Sequence, residues 1–224
     1  MQNKYNLGIV ANDLFTPLYN FWYVCKHDKT QLVNELRKRL SLIDKSEFMR
    51  IRSNINAVYT VNTENAENAV NNVLQAEMYF IINRCSFSGA TLSGGFSLES
   101  SNKRFTSSSI DRIQNLDLSG LTLYNLDFKE FLDTGTLGNC LLFLDPPYYL
   151  GKDSKLYGNN GDLHESFDHV KLFECLSKRK SWVLTYNNCD YIKDLYKDYT
   201  LVPTSWSYGM NKSKESSEIV IINV

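Results

Sequence analysis

The chain is predicted to fold as an α/β domain built on a mostly parallel sheet. Short, continuously apolar runs such as Cys140-Leu141-Leu142-Phe143-Leu144 alternate with segments of helical periodicity, and an unbroken apolar run is what a strand covered on both faces requires. Three of these runs are closed by aspartate, at Asp13, Asp127 and Asp145. In open parallel sheets ligands sit beyond the carboxyl ends of the strands.

Taken in order, Leu7 to Ala11 reads as a short buried strand ended by Asn12-Asp13, followed by a helix presenting Leu14, Leu18, Phe21, Trp22 and Cys25 on one face. Residues 28–83 read as helical throughout, with Leu32, Leu36 and Leu40 four apart and Val70, Val73, Leu74, Met78, Ile81 and Ile82 keeping a similar period. Residues 84–108 break that pattern with Gly94-Gly95 and a Ser-rich stretch carrying Lys103 and Arg104, and are expected to form an exposed loop or hairpin. Strand and helix then alternate again. Leu121–Leu126, Cys140–Leu144, Trp182–Tyr186 and Glu218–Asn223 read as strands, and Phe128–Leu132, Phe167–Leu176 and Tyr191–Tyr196 as helices.

Composition narrows the class without choosing a function. The 224 residues are 43% hydrophobic and 22% charged, enough for one domain with a proper core, or one domain carrying an insert. No apolar run is long enough for a membrane span, no leader peptide is evident, and five scattered cysteines without a Cys-x-x-Cys pair suit a reducing, cytoplasmic setting. A net charge of −1 neither indicates nor excludes nucleic acid, because a basic face can sit on a neutral protein. The basic run containing Arg37, Lys38, Arg39, Lys45, Arg50 and Arg52 reads first as a solvated helix face. His164 and His169 are five apart with no third histidine nearby, so helix initiation explains that segment better than a metal site, and no metal is expected.

A single Asp after a strand is usually a cap or a turn residue. Asp145-Pro146-Pro147-Tyr148 is more specific. Two prolines fix φ near about −65° at successive residues and remove two N–H donors, leaving a rigid ledge whose backbone groups only accept. A carboxylate on one side and a tyrosine ring on the other suit a planar heterocycle bearing an amino group. Cytosine N4, RNA, or a protein amide would satisfy the ledge as well as adenine does.

These residues resemble the Dam-type (D12 class) DNA adenine-N6 methyltransferases. Val10-Ala11-Asn12-Asp13-Leu14, Asn83-Arg84-Cys85-Ser86-Phe87-Ser88-Gly89, Asn125-Leu126-Asp127-Phe128, Asp145-Pro146-Pro147-Tyr148-Tyr149, Leu156-Tyr157, Phe167-Asp168-His169, Trp182 to Asn188, and Ser217 to Ile221 follow the family's order over nearly the whole chain. The resemblance implies a Rossmann-like S-adenosylmethionine-dependent methyltransferase core formed by residues 1–27 and 117–224, with 28–116 a mainly helical inserted target-recognition region. It implies transfer of a methyl group from S-adenosylmethionine to N6 of a flipped adenine, and favours DNA adenine over the other acceptors. Asp145, Pro146, Pro147 and Tyr148 would be catalytic. Asp13 would hold the cofactor ribose, Asp127 and Phe128 its adenine, with Asp145 beside it. Arg84, Ser86, Lys103, Arg104 and Tyr157 would contact DNA.

One departure stands out. The family's opening strand and Phe-x-Gly-x-Gly turn have no counterpart, and no Gly-x-Gly occurs anywhere in the chain. The first central strand is therefore expected to be missing, to be supplied by a missing N-terminal segment or a partner chain, or to mark a truncated, catalytically defective member acting as a DNA-binding or partner subunit.

Overall fold

In the computed structural model, residues 7–55, 66–149, 167–207 and 215–224 are described. They belong to two compact units, Met1–Asp127 and Phe128–Val224.

In the first unit, strand β1 (Ile9–Asn12) lies parallel to β2 (Leu121–Tyr124), with Ile9 opposite Leu121 and Asn12 opposite Tyr124. The connection between them carries six helices among the described residues: α1 (Thr16–His27), α2 (Lys29–Lys38), α3 (Lys45–Asn54), α4 (Ala66–Cys85), α5 (Leu98–Arg104) and α6 (Ser107–Gln114). Pro17 opens α1, where a missing N–H costs nothing, and Lys26 and His27 close it, where positive charge suits the carbonyl end. The expected helix face is shifted, because Leu14 precedes the helix and is largely exposed. The buried face is Pro17, Asn20, Phe21, Val24 and Cys25.

Residues 28–83 are not one continuous helical run. α2 and α3 are separated by a turn in which Ser41 takes φ 63°, and Asp44 restarts the chain by accepting the Glu47 N–H at 2.8 Å. α1, α2, α3 and α5 all pack on α4. Their core includes Leu32, Leu36, Phe48, Ile51, Ile81 and Ile82, each fully buried. Each such side chain contributes about 1.5–3 kcal/mol over an exposed one. Phe21 stacks on Phe80 at 5.8 Å, and Arg39 ties α3 to α4 by pairing with Glu47 at 3.0 Å and Glu77 at 2.7 Å.

The expected loop over 84–108 is confined to a tight turn closed by a bridge between Ser86 and Phe96. Beyond that bridge the chain is helical, in α5 and α6. The serines and threonines that suggested a loop are caps: Ser97 accepts the Ser100 N–H at 3.1 Å to start α5, and Thr106 and Ser109 form a reciprocal capping box that starts α6.

The second unit holds α7 (Phe128–Asp133), β3 (Leu142–Leu144), α8 (His169–Leu176), β4 (Trp182–Asn187), α9 (Asp190–Leu195), β5 (Thr200–Ser207) and β6 (Glu215–Asn223). Its sheet has the order β3-β4-β6-β5. Only β3 and β4 are parallel, while β6 runs antiparallel to both β4 and β5. The expectation of a mostly parallel sheet of doubly buried strands is thus corrected here. β4 alternates, burying Trp182, Leu184 and Tyr186, and the edge strand β3 leaves Phe143 73% exposed. Strand β5 escaped the sequence reading because Pro203 and four hydroxyl residues interrupt its apolar character.

The protein is therefore a mixed α/β chain with one two-stranded and one four-stranded sheet among the described residues. Among the same residues, no helix is long and apolar enough to cross a membrane.

Candidate active site

The carboxyl ends of β1 and β2 are fastened to each other by two asparagines. Asn12 Nδ2 donates to the Leu126 carbonyl and its Oδ1 accepts the Leu126 N–H, each at 3.0 Å. Asn125 Nδ2 donates to the Asp13 carbonyl at 2.7 Å. Asp13 and Asp127 therefore follow adjacent, parallel strands, at the end of the sheet where ligands bind in such folds. Asp13 uses Oδ1 to accept the Phe15 N–H at 2.7 Å, which turns the chain into α1. Partial burial raises its carboxyl above the usual range, and the Phe15 hydrogen bond opposes that shift.

The Asp-Pro-Pro-Tyr ledge begins where β3 ends. Asp145 is exposed, while Pro146, Pro147, Tyr148 and Tyr149 are half-buried. The neighbouring strand β4 grips the ledge at two points. The Thr185 hydroxyl lies 2.6 Å from Asp145 Oδ1, and Asn187 Nδ2 donates to the Tyr149 carbonyl at 2.9 Å. Thr185 Oγ1 also lies within 3.3 Å of the Leu144 carbonyl. One oxygen of Asp145 is thus turned toward the protein by Thr185, and the direction of the other follows from that contact.

An aromatic cluster backs the ledge. Tyr149 stacks on Tyr191 at 4.1 Å and meets the edge of His169 at 5.3 Å. His169 Nδ1 and the Tyr186 hydroxyl share a hydrogen bond of 2.8 Å, and Tyr148 lies tilted against Tyr186 at 6.5 Å. Burial lowers the His169 pKa, opposed by Asp168, and raises that of the Tyr186 hydroxyl. Both shifts favour the neutral forms of the pair, which packs against Tyr148 and Tyr149. Phe128 contacts Phe167 at 5.1 Å within the same unit.

The basic residues divide into two groups. Arg37, Lys38, Arg39 and Arg50 of the 34–52 run are all engaged by carboxylates, as expected for a helix surface. Lys103 likewise pairs with Glu99 at 2.7 Å. Arg84 instead lies over the Phe80 ring, 5.1 Å from its centre, and Arg104 is seated above Gly89. Ser86 is fully buried, and its hydroxyl accepts the Thr91 N–H and donates to the Asn83 carbonyl, so it builds the turn instead of offering a free donor. Tyr157, with Leu156 and His164, lies outside the described residues.

Sequence reasoning missed Thr185 and Asn187. Both lie within one of the family-like segments, but only the pairing of β4 beside β3 shows that they face the ledge. Among the described residues, no cluster of three or more His, Cys, Asp or Glu side chains could hold a metal ion.

Comparison with known proteins gives one family. The model of the D12 class N6 adenine-specific DNA methyltransferases matches residues 3–210. No curated protein matches the chain.

Proposed function

This chain belongs to the D12 class N6 adenine-specific DNA methyltransferase family, and from that premise we propose that it methylates adenine N6 in DNA with S-adenosylmethionine as donor, on the Asp145–Tyr148 ledge. The observation that carries the reading is the Thr185 hydroxyl held 2.6 Å from Asp145 Oδ1, immediately after a strand and before two prolines. A carboxylate fixed in this way is preorganised, so little reorganisation is needed as charge develops on the reacting nitrogen.

Adenine within a duplex hides its amino group, so the target nucleotide must leave the stack, at a cost of a few kcal/mol. Stacking on Tyr148 would offset part of that cost. The N6 lone pair is delocalised into the ring. Hydrogen bonds from the amino group to the Asp145 carboxylate and to the Pro146 carbonyl concentrate it on nitrogen. S-adenosylmethionine, when bound, would supply the electrophilic methyl group and keep the C–S bonding electrons on its sulfur, and N6 would release a proton to solvent as it is methylated. The residues present suit the adenosine half of the donor: Asp13 would bind the ribose hydroxyls, with Asp127 and Phe128 beside the adenine. The methionine half lacks its usual cradle, because the chain contains no Gly-x-Gly. We place the core at residues 1–27 and 117–224 and the target-recognition region at 28–116, and we assign the missing strand and loop to a further polypeptide segment.

Transfer of labelled methyl groups from S-adenosylmethionine to DNA tests the reading, assayed together with any segment that supplies the missing strand. Asp145→Ala is expected to abolish transfer. Thr185→Val is expected to lower kcat by roughly tenfold, the loss of one hydrogen bond to a charged group, with little change in donor affinity, and Thr185→Ser to restore it. Full activity in Asp145→Ala would refute the assignment.

A further inference from the structure

Three consecutive residues of β4 hold the ledge. Side chains along a strand alternate between its faces. Thr185 and Asn187 reach Asp145 and the Tyr149 carbonyl, while Tyr186, on the alternate, buried register, lies against Tyr148. Tyr186 is fully buried, and its hydroxyl shares a 2.8 Å hydrogen bond with His169 Nδ1. His169, also buried, is the first residue of α8. The Asp168 carboxylate starts that helix by accepting the Lys171 N–H at 2.8 Å, which fixes where His169 enters the core.

The pair touches both tyrosines of the ledge. Tyr149 meets the edge of His169 at 5.3 Å with 73° between the planes, and it stacks on Tyr191 at 4.1 Å. Tyr148 is tilted against Tyr186 at 6.5 Å, and the His169 and Tyr186 rings are themselves 5.6 Å apart. Tyr191, Tyr149, His169, Tyr186 and Tyr148 therefore form one series of ring contacts with a hydrogen bond inside it. Apolar contact is non-directional, whereas a hydrogen bond fixes distance and angle, so this bond is what gives the series a defined geometry. Tyr196 makes the contrast. It is equally buried and its ring lies 6.3 Å from Tyr186, yet its hydroxyl has no hydrogen-bond partner among the described residues. The same core thus leaves one tyrosine hydroxyl unpaired and pairs the one that backs the ledge.

We propose that His169 and Tyr186 are positioning residues, whose shared hydrogen bond sets the orientation of the Tyr148 and Tyr149 rings and with it the way the ledge presents its acceptors to the base. This rests on the reading of the ledge as the site of methyl transfer. The two residues act through the tyrosines, and a reacting group displaced by about 1 Å can lose about a hundredfold in rate. Burial favours the uncharged form of both groups, the state in which one donates and the other accepts.

The test has two readouts on the full chain. The first is the ring resonances of Tyr148 and Tyr149 in tyrosine-labelled protein, assigned through Tyr148→Phe and Tyr149→Phe. Tyr186→Phe and His169→Leu are each expected to shift both rings. His169→Asn, which keeps a hydrogen-bonding atom in the place of Nδ1, is expected to restore them, and Tyr196→Phe to leave them unmoved. The second readout is methyl transfer from S-adenosylmethionine to DNA free of N6-methyladenine, assayed as above. Tyr186→Phe is expected to lower kcat roughly fivefold, the loss of one hydrogen bond, with an unchanged KM for the donor. His169→Asn is expected to keep most of the activity, and the Tyr186→Phe, His169→Leu double variant to lose no more than His169→Leu alone. Circular dichroism confirms that the variants fold. Unmoved rings in Tyr186→Phe and His169→Leu, equal shifts in Tyr196→Phe, or moved rings with wild-type kcat would overturn the proposal. Shifted rings in a chain that transfers no methyl group keep the positioning and remove the enzymatic reading. Wild-type transfer by Tyr186→Phe with unmoved rings does the reverse.

Discussion

The carboxyl group of Asp13 serves two purposes that oppose each other. It caps the turn into α1 through the Phe15 N–H, for which an amide oxygen would serve as well, yet it is partly buried as an anion. Its raised pKa means that ionisation is less favourable in the fold than in the unfolded chain, so the native state loses stability above the folded pKa and recovers it as pH falls toward 3.8. Asp13→Asn is accordingly expected to raise the urea midpoint at neutral pH, with the gain shrinking in acid, while calorimetry records weaker binding of S-adenosylmethionine. A residue kept at a cost to stability is what a ligand contact looks like. Asp13 and Asp145 were legible in the sequence because each closes an apolar run. Thr185 and Asn187 were not, since their role depends on which strand lies beside β3 and in what register, and that is a long-range fact.

At the scale of elements, the Ser-rich stretch shows how composition misleads. Serines and threonines favour turns because their side chains compete for backbone groups, and the same competition makes them good N-caps. Ser97 and Thr106 act as caps, and the segment becomes two short helices where a loop was expected. Ser97→Ala and Thr106→Ala are each expected to cost about 1 kcal/mol in urea unfolding. The apolar strands were found because their hydrophobic runs stand out from the flanking sequence, even where burial is partial, as in β1 and β3. β5 was hidden because an edge strand needs less apolar character and tolerates Pro203.

Over the whole molecule, the sequence reading recovered the α/β class and the family, while the division into sheets of two and four strands came only from pairing. Charge totals were equally uninformative: a net charge of −1 does not show that Arg37, Lys38, Arg39 and Arg50 are each matched by a carboxylate. The second unit has its own pH signature. The His169 pKa is lowered below its ordinary 6.5 by burial, so its contribution to stability is complete above that value and declines as pH falls through it. The Tyr186 hydroxyl is raised above 10.0, so its contribution is complete below that value and is lost in stronger alkali. Thermal melts are expected to show a plateau between these limits, with the acid-side decline reduced in His169→Asn.

The two flanks of the four-stranded sheet differ among the described residues. β5 carries Pro203, which has no N–H to offer a newcomer, whereas β3 has neither proline nor charge. A strand added to this sheet would therefore find an uninterrupted row of backbone partners along β3 and a broken one along β5.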